Sequence, residues 1–208
     1  MKKKLSLTVT KLTCKRNAIS IFNPISFKVS EGQMLIIKGK NGRGKTTLIH
    51  CLAGLLSYQG LVKWKGVEGK IGYIGHKFGL KDYETVYDFI KFWKAVYGSK
   101  VSIDEVVEFF SLFNVLFSPI AFLSFGQKKK LTFVRLYFFN NNVWLLDEPF
   151  SGMDDNNREL IFNMIESHIS NKGMVILSTH EKGRMSNIKN TKELVIGEFI
   201  LHNFKKRF

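Results

Sequence analysis

Cysteine is scarce, with two residues in a chain of 208, Cys14 and Cys51. They share no metal-ligand spacing and leave no room for a disulfide framework, so the chain reads as a protein of a reducing compartment. Cys51 lies in an apolar helical run and is expected to be a small core residue. Acidic residues are also few, 17 against 32 lysines and arginines, which gives a formal net charge of +15. Charge of one sign bears on solubility and steering rather than on an activity. Lysines gather at Lys2–Lys4, at Lys128–Lys130 and in the stretch Lys205–Arg207. The favoured expectation for them is a solvated face, with attraction to anionic lipid or nucleic acid as the sharper alternative. There is no internal repeat and no low-complexity linker.

Long uninterrupted apolar runs are missing too. The beginning, "MKKKLSLTVTKL", is basic, but Leu5, Leu7 and Val9 alternate with polar residues as in a strand, not as in a signal-peptide core. The charge-free run from Phe109 to Gln127 has about the length that spans a bilayer. Ser111, Asn114, Ser118 and Pro119 interrupt it, so a helix, a turn and a loop are expected there instead.

What the chain does have is strand-length apolar runs alternating with helical ones. "MLIIKG" (34–39), "KIGYIG" (70–75), "VWLLD" (143–147), "MVILST" (174–179) and "ELVIGEFI" (193–200) read as strands, and the continuously apolar ones as central strands covered on both faces. "KTTLIHCLAGLL" (45–56) and "NRELIFNMIESHIS" (157–170) read as helices. In the second, Leu160, Ile161, Met164, Ile165 and Ile169 fall on one face. Alternation of this kind predicts an α/β fold with a mostly parallel sheet. Residues 77–130 hold no comparable strand, and "ETVYDFIKFWKAVYG" and "IDEVVEFFSLFNVLF" predict amphipathic helices, an inserted helical subdomain.

"GKNGRGKT" (39–46) fits G-x-x-x-x-G-K-[ST] between a predicted strand and a predicted helix, the context that gives this motif meaning. Gly39, Gly42 and Gly44 let the loop curl, with Asn41 between them. Backbone N–H groups then face a phosphate, and the helix N-terminus adds a favourable dipole. Lys45 can reach the β- and γ-phosphates, while Thr46, followed by Thr47, can offer its hydroxyl to Mg²⁺. ATP with Mg²⁺ is therefore the expected ligand. A second stretch, "VWLLDEPFSGMD", ends a buried strand in two carboxylates. Asp147 is placed to hold Mg²⁺, and Glu148 is the candidate to orient and deprotonate the attacking water. "MVILSTH" ends a further strand near His180, a candidate hydrogen-bond donor to charge developing on the γ-phosphate. His50, His168 and His202 are expected to be structural or solvated.

Together these stretches resemble the nucleotide-binding subunits of ABC transporters, and the likeness runs through nearly the whole chain. Beside the Walker A loop at 39–47 and Walker B at 143–148, "LSFGQ" at 123–127 is similar to that family's Leu-Ser-Gly-Gly-Gln signature, 20 residues before Asp147. "SGMD" (151–154) matches the D-loop and brings in Asp154. Arg135 falls where the family's signature helix carries an arginine. The resemblance implies a P-loop NTPase of ABC type: a mostly parallel sheet core, an antiparallel N-terminal β part, and a single domain over 1–208. Residues 1–76 and 131–208 would form the core and residues 77–130, approximately, the helical subdomain. It further implies an ATPase that pairs head to tail as a homodimer on ATP binding. Ser124, Gly126 and Gln127 of each copy would then close over ATP held by the other. A multi-spanning membrane subunit would be the partner, and no nucleic acid is expected.

Two positions depart from the family pattern. Phe125 replaces a signature glycine whose side chain is not a ligand, so a working signature is still expected. Lys77, preceded by His76, occupies the Q-loop position, and an ammonium group has no lone pair to ligate a cation. No adenine-stacking aromatic is evident near Lys15–Ala18, where Arg16 is the candidate. Within the family, "GHKFGLK" (75–81) and "CKR" (14–16) are similar to the subgroup that serves haem export in cytochrome c maturation. That likeness implies a peripheral position on an inner membrane, on the cytoplasmic face of a bacterium or the matrix face of a mitochondrion. The ATPase of another small drug or lipid exporter is the alternative, followed by a soluble ABC ATPase of iron–sulfur assembly. A nucleotide-binding regulatory subunit that does not hydrolyse is a third class. Phe109, Phe110, Phe113 and Phe117 are expected either to fill the subdomain core or to line a docking groove; exposure of the rings would favour docking.

Overall fold

The structure, a computed structural model, describes residues 3–17, 19–67, 71–139, 141–180, 188 and 190–197. Lys2, Lys205–Arg207, His202 and the end of the last apolar run lie outside them. Two sheets organise the chain. The larger has five parallel strands in the order β10 (Thr191–Val195), β5 (Met34–Lys38), β9 (Met174–Ser178), β8 (Val143–Asp147) and β7 (Gly72–Ile74). β8 and β9 are buried at every residue, which is what strands covered on both faces require and why they read as unbroken apolar runs. The smaller sheet is antiparallel, with β1 (Ser6–Thr13) between β4 (Ile25–Ser30) and β6 (Gln59–Lys65). Leu7, Val9 and Val29 turn inward, so the alternation of polar and apolar residues in "LSLTV" is that of a half-buried sheet. Two short strands, β2 (Lys15–Arg16) and β3 (Ile19–Ser20), form a separate ribbon.

Each face of the parallel sheet has its own core. On one side α1 (Lys45–Leu52) packs with the antiparallel sheet around Leu35, Ile37, Leu48 and Ile176. Cys14 and Cys51 lie buried there as free thiols beside each other, and burial, with Cys14 adding to it, pushes the Cys51 thiol up to about 12. A thiol held that far from ionisation is an inert core group. On the other side α2 (Val86–Tyr97), α3 (Ile103–Phe109), α4 (Phe125–Phe138) and α5 (Asp155–Ser170) share one cluster with Ile36, Leu146 and Leu177. Ile161, Met164, Ile165 and Ile169 of α5 are buried as expected, with Leu160 half-buried at the rim.

Two helices are shorter than their sequence patterns suggest. α1 stops at Leu52 because Gly54 takes the left-handed conformation (φ 72°), with its N–H on the Cys51 carbonyl and that of Leu55 on the His50 carbonyl. This pair of bonds is the Schellman closure of a helix. The run 103–117 likewise breaks at Ser111 (φ 48°), whose N–H reaches the Glu108 carbonyl while that of Leu112 reaches Val107. Only short 3₁₀ turns at Phe113–Val115 and Ile120–Phe122 follow. The break sorts the phenylalanines: Phe110 is buried and Phe109 packs beside it, whereas Phe113 (65%) and Phe117 (74%) face solvent.

Candidate functional site

The loop between β5 and α1 opens a cavity of about 570 Å³ at the carboxyl ends of the parallel strands. Asn41, Gly42, Gly44, Lys45, Thr46 and Thr47 form its floor, and Glu148 and His180 stand opposite, at the ends of β8 and β9. Gly44 caps α1 with φ 93°, and a Cβ there would meet Ile21 and Phe22 at 2.8 Å, so only glycine fits. The Lys45 ammonium is buried, donating to the Gly39 carbonyl at 2.9 Å and the Lys40 carbonyl at 3.4 Å, and lying 2.7 Å from His180 Nε2.

Hydroxyl groups arrange the acidic end. Thr46 Oγ1 donates to Asp147 Oδ2 at 2.9 Å, and Ser178 Oγ donates to Asp147 Oδ1 at 2.6 Å. Both carboxylate oxygens are thereby fixed. Ser178 Oγ also accepts from the Glu148 N–H at 3.0 Å. Glu148 itself adopts φ 48°, an uncommon conformation for a residue with a side chain, and this turns its carboxylate toward the loop. Glu148 Oε1 lies 3.9 Å from Lys45 Nζ and 3.2 Å from His180 Nε2, near enough for electrostatic attraction though not aligned as a hydrogen bond. Thr46, Asp147 and Ser178 thus gather hard oxygen atoms at one point, the donor chemistry that suits Mg²⁺. Among the described residues no group of three His, Cys, Asp or Glu side chains forms a dedicated metal cage. That fits an ion held by a carboxylate, a hydroxyl and substrate phosphates.

The structure brings Lys45, Thr46, Asp147, Glu148 and His180 together, and it separates the remaining candidates from them. Ser124, Gly126, Gln127 and Asp154 do not line the cavity. Ser124 and Gln127 instead cap α4 reciprocally: the Gln127 N–H donates to Ser124 Oγ at 3.2 Å, and the Ser124 N–H donates to Gln127 Oε1 at 2.8 Å. Asp154 caps α5, accepting from Asn157 at 2.8 Å. Phe125 is half exposed, its ring against Phe78 at 4.9 Å and over Gly152, where a Cβ would meet the ring at 2.3 Å.

His76 lines the phosphate cavity, whereas Lys77 lies in a neighbouring cleft with Phe78, Phe125 and Lys128. Arg16 reaches the cavity mouth. Three residues went unnoticed in the sequence. Ser178 is the last letter of an apolar strand, and only the β8–β9 pairing places it beside Asp147. Lys129 and Lys130 belong to a run expected to be solvated, yet both are buried. Burial lowers the Lys129 ammonium to about 8, with Asp147 and Glu148 acting against the shift.

A phosphate loop joining a parallel strand to a helix, beside a strand that ends in a carboxylate, defines a P-loop nucleoside-triphosphate-binding protein. Comparison with known proteins carries this further. The ABC transporter family pattern matches residues 22–151, and the chain belongs to that family. It is 31% identical over 209 residues to the cytochrome c biogenesis ATP-binding export protein CcmA of Rhizobium johnstonii, covering 94% of this chain and 96% of the relative. It is 36% identical over 177 residues to the protein of the same name from Ruegeria pomeroyi, covering 85% of each. The fold is shared with an ABC transporter ATP-binding protein of Pyrococcus furiosus at a TM-score of 0.76 and 23% identity, over 91% of this chain and 97% of that one.

Proposed function

We propose that this chain is the ATP-hydrolysing subunit of a membrane export complex that serves cytochrome c biogenesis, with haem as the species delivered. The observation that carries the ATPase reading is the meeting of Lys45, Thr46, Glu148 and His180 around one cavity, with Asp147 bonded to Thr46 just behind it. The pathway follows from the two relatives named for cytochrome c biogenesis.

In this reading the N–H groups of residues 41–46 and the α1 dipole receive the phosphates, and Lys45 pairs with the β- and γ-oxygens. Thr46 and Asp147 would hold Mg²⁺, which when bound neutralises charge on the transferring phosphoryl group. Glu148 orients the attacking water and takes its proton, and His180 donates a hydrogen bond to the charge that develops. Gly39, Asn41, Gly42, Gly44 and Thr47 shape the cradle.

The signature lies outside this chain's own cavity, which supports a reading in which a second copy supplies it. Ser124 Oγ accepts in its capping bond and still has a hydroxyl hydrogen to offer a phosphate across that interface. Gly126 and Gln127 follow Ser124 in the first turn of α4, and Gly126 lies against the Gly152 carbonyl, two residues before Asp154. We assign residues 1–76 and 131–208 to the nucleotide-binding core and about 77–130 to a helical part that meets the membrane subunit. The exposed rings of Phe113 and Phe117 support that contact, since a short amphipathic helix of the partner can lay its apolar face on them. No described helix is long and apolar enough to cross a membrane. The export role named for the relatives supports a peripheral position, on the cytoplasmic face of a bacterial inner membrane or the matrix face of a mitochondrial one.

The test is Glu148→Gln. The variant should bind ATP as the parent does and lose roughly 10²–10⁴-fold in turnover, the span of general acid–base catalysis. Turnover near the parent's would remove Glu148 from its role.

A further inference from the structure

One buried charge has no part in the mechanism above. Lys129, in the first turns of α4, is 1% exposed. Its ammonium donates to the Gly75 carbonyl and to the Asp147 carbonyl, each at 3.3 Å, and lies 5.9 Å from the centre of the Phe78 ring. A buried cation is costly unless it is partnered, so these contacts are what hold it in place. The two carbonyls have a particular position. Gly75 follows the last residue of β7 and precedes His76, while Asp147 ends β8 and precedes Glu148. His76 and Glu148 both line the phosphate cavity.

We propose that Lys129 is a positioning residue for ATP hydrolysis, bracing the carboxyl ends of β7 and β8 so that the cavity walls carrying His76 and Glu148 keep a fixed separation. The inference rests on the proposed ATPase reading. The brace rises from α4, whose N-terminus is the signature serine, so it ties the signature to the site of the same chain. Two further contacts reinforce that tie: Phe125 packs on Phe78 at 4.9 Å, and Lys128 pairs with Asp82 at 3.4 Å. Movement of α4, as on engaging a second copy, is thereby transmitted to both walls through Lys129. Lys129 does not itself line the phosphate cavity. It acts on kcat through backbone placement and leaves the phosphate loop untouched.

The experiment compares Lys129→Met and Lys129→Arg with the parent. The methionine fills the space and removes the donors, while arginine keeps charge and donors. Lys129→Met should lose about 10–100-fold in kcat, since a misplacement of about 1 Å that originates far from the chemistry costs up to about 10²-fold, with KM for ATP unchanged within about twofold. ATP affinity measured in EDTA should also be unchanged, and Lys129→Arg should recover most of the loss. Amide hydrogen exchange in the intact protein gives a readout independent of turnover. Segments 74–79 and 145–150 should exchange faster together in Lys129→Met and return to the parent's rate in Lys129→Arg. Parent-like kcat with parent-like exchange at both segments overturns the brace, and so does a loss confined to ATP affinity. If Lys129→Met does not fold, Lys129→Gln, whose shorter amide keeps two N–H donors but neither the charge nor the reach of the ammonium, takes its place under the same criteria. A parent protein that binds ATP without hydrolysing it contradicts the ATPase reading, and the exchange experiment still decides the brace.

Discussion

Asp147 has both oxygens occupied by hydroxyl donors, and Ser178 is the donor that also fixes the backbone of Glu148. That double duty makes Ser178 more than a strand residue. Ser178→Ala is expected to lower turnover by about 10–100-fold, since one carboxylate oxygen and one strained backbone N–H lose their shared partner. ATP binding without Mg²⁺ should persist, while the Mg²⁺ concentration needed for half-maximal rate should rise; steady-state kinetics over a Mg²⁺ series checks both. Lys45, Thr46 and Asp147 were legible in the sequence because each belongs to a local motif with a fixed neighbour. Ser178 and Lys129 were not, because their partners are 31 and 18 residues away and meet them only through strand order and helix docking. A lysine among lysines carries no local sign of burial. Likewise, sequence spacing alone did not separate His76 from Lys77, since one backbone turn decides which of the two faces the cavity.

Helices and strands show the same division between local and tertiary information. The strands of the parallel sheet were readable from composition, as were the stretches that hold α2, α3 and α5; the structure adds that α2, α4 and α5 start at Thr85, Ser124 and Asp154, which accept from the third residue beyond them. Their ends were less readable, because Ser111 took a left-handed closure usually left to glycine. α5 is anchored on the sheet by His168, stacked on Trp144 with ring centres 3.8 Å apart and planes 10° from parallel. Burial lowers this imidazole from 6.5 to about 4. The folded state therefore keeps it neutral while the unfolded chain takes up a proton, so stability is full above about pH 6.5 and falls as the pH drops toward 4. His168→Phe, which retains a ring on Trp144, should reduce the fall between pH 7 and pH 5 by on the order of 1 kcal/mol. Urea midpoints for both proteins at the two pH values check this; equal slopes would mean that His168 does not titrate as described.

At the scale of the whole molecule, two cores separated by the parallel sheet divide the labour. One backs the phosphate loop through α1, and the other carries the helices that end at the signature and the exposed phenylalanines. The surface is incomplete in two senses. The signature has no phosphate of its own chain to meet, and Phe113 and Phe117 project where a globular core would have taken them in. Both gaps are filled if two copies close over ATP against a membrane subunit. The nucleotide pocket gives the protein's chemistry, but the partner gives its purpose. The most direct measurement is recovery of the tagged chain from its own membranes in mild detergent, with the co-purifying proteins identified by mass spectrometry. A multi-spanning subunit of the cytochrome c biogenesis export system is the expected co-purifying protein. Recovery with an unrelated exporter, or only from the soluble fraction, would contradict this.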